Sequence, residues 1–311
     1  MSCHDCVFGI THTACYLPER IDDVHSWGRR TGQSAASVER LRRAGVQRYR
    51  DAAGEPVASM ATKAIDALMR ASGVAPDTVD CLVYTHTLQG SIAPPPMSLP
   101  RMLCNASGFA RAGAFSFAQQ HCASALGALR IIRAMFIARP RLTRVVLVGA
   151  DAMPLASERL MEGIGLIGDG ACAALIERDA SINRFIALRT CASGYAWRGA
   201  LSGEETRLAG RYFLTARQLI QEVTHAAGFE PCVLQCIVPH HLDLPGWYRV
   251  LSSLGIPSER LFSENFSRIA HVTVSDPIIN LSDCTTLTPN EPFLLFASGV
   301  GGFSAAALLR R

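Results

Sequence analysis

A histidine and a cysteine meet at one joint in the stretch GAFSFAQQHCASALGAL, residues 113–129. Ahead of the joint runs an alternating apolar segment with Phe115 and Phe117. Behind it Ala123, Leu126, Ala128, Leu129, Ile131, Ile132, Met135 and Phe136 follow the spacing of a buried helix. Any one of eleven cysteines is first of all a small apolar residue of the core. Cys122 is set apart by its place. At a helix start, free N–H groups and the helix dipole favour the thiolate, which is the nucleophilic form of the side chain. The same joint would aim the Cys122 backbone N–H at a bound carbonyl oxygen, as half of an oxyanion hole. A glycine turn such as Gly299-Val300-Gly301-Gly302 can bring in a second N–H with no side chain in the way. A base or hydrogen-bond donor is then required, and VPHH (238–241) ends a strand-like run with two histidines. Adjacent residues at a strand end point apart, so of His240 and His241 one would face the joint and the other would be a solvated or hydrogen-bonded neighbour.

The elements that must position these residues can be read from periodicity. Helices are predicted near 57–73, 122–138, 213–227 and 245–254. Strand-like runs are CLVYTH (81–86), RVVLVGA (144–150), ACAALIE (171–177), QCIVPH (235–240) and PFLLFAS (292–298). Their alternation predicts an α/β protein with buried parallel or mixed sheets. The order also repeats at about 140 residues, which is a domain duplication and not a solenoid. An amphipathic helix ending in SG or AG precedes a short strand, then a strand-to-helix joint, then a strongly apolar strand. Two halves, residues 1–170 and 171–311, would join near Gly168-Asp169-Gly170. The joints at Cys122 and near His271 would then be equivalent and face each other. Asp169 reads as a turn residue rather than an acid.

Composition narrows the classes. The chain has 311 residues, 49% hydrophobic and 18% charged, with a formal net charge of +4. That suits a large buried core, and the charge is too mild for a nucleic-acid binder. The start MSCHDCVFGITH lacks a basic segment followed by an apolar run, and the cysteines are odd in number and scattered. A reduced, cytoplasmic compartment is therefore expected. Cys3, His4, Asp5 and Cys6 look like half a metal knuckle with no second pair to complete it. The C-terminal FLLFASGVGGFSAAALLRR is broken by glycines and serines. It reads as a core strand, a turn and another strand rather than a membrane anchor.

Taken in order along the chain, several segments resemble the β-ketoacyl-ACP synthase III group of the thiolase superfamily. ACYLPERI (14–21) is similar to the family's first-strand exit. RRAGV (42–46) resembles its basic segment near the acyl donor's pantetheine or nucleotide. HCASALGAL resembles the segment around the nucleophilic cysteine, GDGACAAL (168–175) the turn between halves, VPHHLDL (238–244) the family's VPHQANL, and SGVGGFSAAAL (298–308) its glycine-rich loop. The resemblance implies a five-layer α-β-α-β-α thiolase-like fold and a homodimer, with a heterodimer with a related subunit as the variant. It implies Cys122 as acyl acceptor and His240 as catalytic histidine. The oxyanion hole would be formed by the N–H groups of Cys122 and Gly302, and Arg43 would stand near phosphopantetheine or CoA. Substrates would be CoA or acyl-carrier thioesters, with no metal or tightly bound cofactor.

Three departures stand out. AHVTVSD (270–276) puts His271 where the family has asparagine, His121 replaces a small residue before the nucleophile, and Pro245 replaces a basic carrier-docking residue, with Arg249 a helical turn on. They suggest a divergent enzyme of specialised metabolism. The expected reaction is transfer of an acyl group to Cys122, then decarboxylative condensation with a malonyl-type thioester, His240 and His271 stabilising the enolate. The alternatives are transfer to an alcohol or amine with His240 as general base, and a non-catalytic partner subunit.

Overall fold

The computed structural model describes residues 7–161, 164–194 and 205–311. The half-knuckle at residues 3–6 lies outside them. In chain order the elements are β1 (Phe8–Tyr16), β2 (Ile21–Asp23), α1 (Val24–Thr31), α2 (Ala35–Arg43), β3 (Arg48–Arg50), α3 (Val57–Ser72), β4 (Cys81–Thr85), α4 (Leu99–Ala106), β5 (Gly113–Ser116), α5 (Ser124–Ala138) and β6 (Arg144–Asp151). Next come β7 (Leu160–Met161), β8 (Gly165–Leu166), β9 (Gly170–Arg178) and β10 (Arg184–Ala192). The remainder is α6 (Glu205–His225), β11 (Cys236–Val238), α7 (Leu244–Ser253), α8 (Glu264–Ile269), α9 (Asp276–Asp283), β12 (Pro292–Gly299) and β13 (Phe303–Arg310).

The unbroken apolar runs are strands buried on both faces, which is why they do not alternate with polar residues. In β6, Val145 and Leu147 face one core while Val146, Val148 and Ala150 face another. In β12, Phe293, Leu295 and Ala297 share the first of these cores, and Leu294 and Phe296 enter a third. The strands lie in the order β11-β12-β13-β10-β1-β9-β6-β4-β5. β1 is zipped to β9 from Phe8 to Tyr16 but joins β10 only through Gly9↔Arg184. The nine strands therefore behave as two sheets meeting at one seam. α5 and α9 fill the space between them with Leu126, Leu129, Ile132, Ile278 and Ile279. α3 and α4 cover one outer face through Met60, Ile65, Leu68 and Leu103, and α6 and α7 cover the other through Leu219, Val223, Trp247 and Leu251. The result is five layers, α-β-α-β-α, as expected from the resemblance.

The stretch His121–Ala138 has a mean hydropathy of 1.3 and is apolar enough to cross a membrane, yet here it is the turn and helix wedged between the two sheets. The predicted start at 122 moves: residues His121–Ala123 form a 3-10 turn and α5 begins at Ser124. α6 already runs from Glu205. The short helices α1 and α2 escaped the periodicity reading because they are arginine-rich. Side-chain caps from Asp23 and Ser34 start them, and only a narrow stripe is buried. Asp169 is a clamp. Its carboxylate accepts from the backbone N–H of Ala52 (2.7 Å) and Met153 (2.9 Å) and from both terminal nitrogens of Arg159, each 2.7 Å away.

Candidate active site

Cys122 is buried in the 3-10 turn that leads into α5, at the positive end of that helix. The turn is strained: Gln119 and His121 take φ of +73° and +49°, each costing on the order of 1–3 kcal/mol in a residue with a side chain. What makes the turn possible is Gly299 at the end of β12. A Cβ built there would lie 2.2 Å from the Gln120 carbonyl oxygen and 3.1 Å from the Cys122 nitrogen. The glycine loop thus reaches the nucleophile's backbone through Gly299, a contact the sequence reading did not single out. Gly302, the expected second oxyanion donor, is buried in the same loop with φ +82°.

The segment holding His271 is laced to residues 166–168. The His271 N–H donates to the Leu166 carbonyl, and its own carbonyl accepts from the Gly168 N–H, both at 2.9 Å. The imidazole is thereby carried across the seam, and Nε2 lies 3.2 Å from Cys122 Sγ. Nδ1 lies 2.5 Å from Oδ2 of Asp276, the first residue of α9. Cysteine, imidazole and carboxylate stand in line, all buried. Burial works against the charged form of His271, but the Asp276 carboxylate and then the Cys122 sulfur outweigh it and push its pKa up to about 10. Burial likewise opposes ionisation of Asp276. His241 and His271 overcome it and hold the carboxyl far below the usual range. Such a line can move the thiol proton to the imidazole while the carboxylate steadies the cation.

His240, after β11, stands beside this line with its ring centre 5.8 Å from that of His271. Its Nδ1 accepts the Ser298 backbone N–H at 3.0 Å, so in the neutral ring Nε2 carries the hydrogen. That N–H donates to the Tyr212 hydroxyl oxygen at 2.8 Å. Burial, followed by the charge on His271, lowers its pKa to about 3. His240 is a neutral donor at Nε2. It is not poised to accept a proton there.

The structure therefore brings together Cys122, His240 and His271, the three side chains singled out in the sequence. Arg43 it leaves apart: the side chain is 77% exposed on α2 and pairs with Glu39 at 3.2 Å. His241 is buried and turned away from His240, with hydrogen bonds to Ala270 and Asn280. Asp276, Tyr212 and Ser298 were not anticipated. Of these only Asp276 had a local signal, the Asp-Pro pair that opens α9.

The fold is that of a thiolase-fold protein. Residues 118–194, which include Cys122, match the family of 3-oxoacyl-[acyl-carrier-protein (ACP)] synthase III. The β-ketoacyl-[acyl-carrier-protein] synthase III of Aquifex aeolicus is 24% identical over 282 residues, 86% of this chain and 88% of that protein. The crystal structure of 3-oxoacyl-[acyl-carrier-protein] synthase III from Aquifex aeolicus VF5 superposes with a TM-score of 0.86 at 20% identity, covering 98% of this chain and 100% of the other. The Pseudomonas aeruginosa PAO1 enzyme of the same name gives 0.84 at 18% identity, with 98% of each chain covered. The chain is thus similar to that family around its cysteine and shares the fold of the synthase III structures.

Proposed function

We propose that the protein is an acyl-thioester transferase that carries the acyl group on Cys122 and hands it to a hydroxyl or amine acceptor. The observation that carries this reading is the line Cys122–His271–Asp276. The donor is a CoA or acyl-carrier thioester, by likeness to relatives whose names include acyl carrier protein. In the first half-reaction the sulfur, its proton passed to His271 Nε2, attacks the thioester carbon. The N–H groups of Cys122 and Gly302 take the oxyanion, and the departing thiolate collects the proton from His271. His271 is then neutral, with its remaining N–H held by Asp276. In the second half-reaction its free Nε2 accepts the acceptor's proton as the O–C or N–C bond forms and the Cys122 sulfur leaves. The proton on His271 re-forms the starting pair. His240 donates a hydrogen bond through Nε2. The general-base role expected of it in this version passes to His271, because the Ser298 N–H fixes the His240 hydrogen on Nε2.

Decarboxylative condensation with a malonyl-type thioester stands as the second reading. It is favoured by the closeness of the two imidazoles, ring centres 5.8 Å apart, with His240 serving a thioester oxygen only where that oxygen takes the place of the Tyr212 hydroxyl at its Nε2 hydrogen. Intact mass after incubation with a panel of acyl-CoA and acyl-carrier donors, followed by an alcohol, an amine or a malonyl thioester, tests both. The expected result is a stable adduct discharged by the alcohol or amine. Discharge by the malonyl thioester alone supports the second reading, and no adduct from any donor supports a silent partner subunit.

His240→Ala is expected to leave the fold intact and to slow product formation at least ~100-fold, the scale of a lost electrostatic or proton-handling group. Steady-state turnover checks this. A few-fold loss would reduce His240 to a packing residue between Tyr212 and Trp247.

A further inference from the structure

His241 lies on the far side of Asp276 from the nucleophile, and no step above uses it. Its surroundings fix the hydrogens on its ring. Nδ1 is 2.6 Å from the Ala270 carbonyl oxygen and 3.1 Å from Asp276 Oδ1, and Nε2 is 2.7 Å from Asn280 Oδ1. The Asn280 amide cannot be turned round, because its nitrogen donates to the Pro239 carbonyl at 2.7 Å while its oxygen also accepts from the Asn265 amide at 2.8 Å. Asn265 is pinned in turn: its oxygen accepts from Arg268 Nε at 2.9 Å, and its nitrogen donates to Asp283 at 3.0 Å. With a guanidinium that only donates at one end and a carbonyl that only accepts at the other, the polarity of the network is set. Both nitrogens of His241 therefore face acceptors. A neutral imidazole has one N–H and would leave a lone pair against an oxygen in a buried site.

We propose that His241 is a positioning residue, a doubly protonated imidazole that shares Asp276 with His271 and so lets His271 give its proton to the departing thiolate and stay neutral to accept the acceptor's proton. Asp276 supports the shared role. Beyond the His241 ring it accepts the His241 backbone N–H and the Val272 N–H, both at 2.7 Å, so its carboxylate cannot swing toward either ring. With a second cation on the same carboxylate, a proton on His271 is held less firmly than by an undivided partner. The other ionisable groups in contact are Cys122 and His240 on the His271 side, and Asp283 with Arg268 behind Asn265.

This rests on the reading of His271 as the cycling base, and the test separates the two. NMR of wild-type protein carrying 15N-labelled histidine is expected to show one ring, assigned by its loss in His241→Gln, with hydrogen on both nitrogens at pH 7. A His241 ring with a single N–H overturns the proposal whatever the acceptor. In His241→Gln the Cys122 adduct should still form, while the rise of acyl transfer with pH should move up by about one unit. That corresponds to about a tenfold loss at pH 7. An unmoved profile, or one moved down, overturns it too. Failure of the transferase reading shows itself differently, as a Cys122 adduct that no hydroxyl or amine discharges. Should His241→Gln fail to fold, the wild-type spectrum alone decides, with His241 assigned as the ring whose nitrogens couple across hydrogen bonds to Ala270 and Asn280.

Discussion

Peptide mapping of acyl-loaded protein is expected to find the acyl group on Cys122 and on none of the other ten cysteines, and Cys122→Ala is expected to abolish both adduct and turnover. Among the described cysteines selectivity follows from what surrounds the thiol. Burial pushes Cys172 up to about 12 and Cys81 and Cys15 to about 11, and it raises Cys104 as well. None of these thiols supplies much thiolate near neutral pH. Cys284 is held down to about 6 by the thiol of Cys236, 3.9 Å away, but it is buried at the opposite end of α9 from Asp276. Cys232 is exposed, and no base lies against it among the described contacts. Among the described cysteines only Cys122 has an imidazole at 3.2 Å backed by a carboxylate. An adduct on Cys104 or Cys172 with Cys122 free would sink the mechanism.

The second large effect is expected at His271. His271→Ala removes the atom that takes the thiol proton and later the acceptor's proton. The transfer half-reaction should collapse by ~100-fold or more, while a pre-activated donor still loads Cys122 slowly. His271→Asn separates the acceptor classes. An amide donates a hydrogen bond but accepts no proton near neutral pH, so transfer to a hydroxyl or amine should be lost as in the alanine variant. A condensing enzyme, which needs only a donor at that place, should tolerate it. Single-turnover measurement of loading and discharge reads both outcomes. Normal discharge in His271→Ala would make the residue a structural stand-in. The pH dependence has a defined sign as well. The raised pKa of His271 means its charged form stabilises the folded chain fully below its unfolded value of about 6.5 and progressively less as pH climbs toward about 10.

How much of this was legible depended on whether the information was local. Cys122, His240 and His271 each sit where a strand or turn hands over to the next element, and residue type plus hydropathy period marks such joints. The facing of the Cys122 and His271 joints followed from the repeated order of elements, and the family resemblance picked out His240 and His271 as catalytic positions. Asp276 escaped because a carboxylate before Pro277 reads as a helix opening, which it also is; its second use appears only when His271 and His241 converge on it. Tyr212 and Ser298 are 28 and 58 residues from His240, and no pattern in the chain pairs them with it. The two-faced strands could be recognised as buried, but assigning alternate residues to different cores required the order of the sheets.

The arrangement of the middle layer bears on how far the chemistry is exposed to distant change. The nucleophile hangs from the leading end of α5 and the carboxylate from the leading end of α9, and both helices lie in the same core between the sheets. The gap between sulfur and imidazole therefore depends on how the two helices are set within that layer. Ala125 and Ala128 are small, fully packed side chains of α5 in the same core. Enlarging them would lever the nucleophile away from its base without touching either, and sequence drift in a region that looks like mere filling would register as lost reactivity.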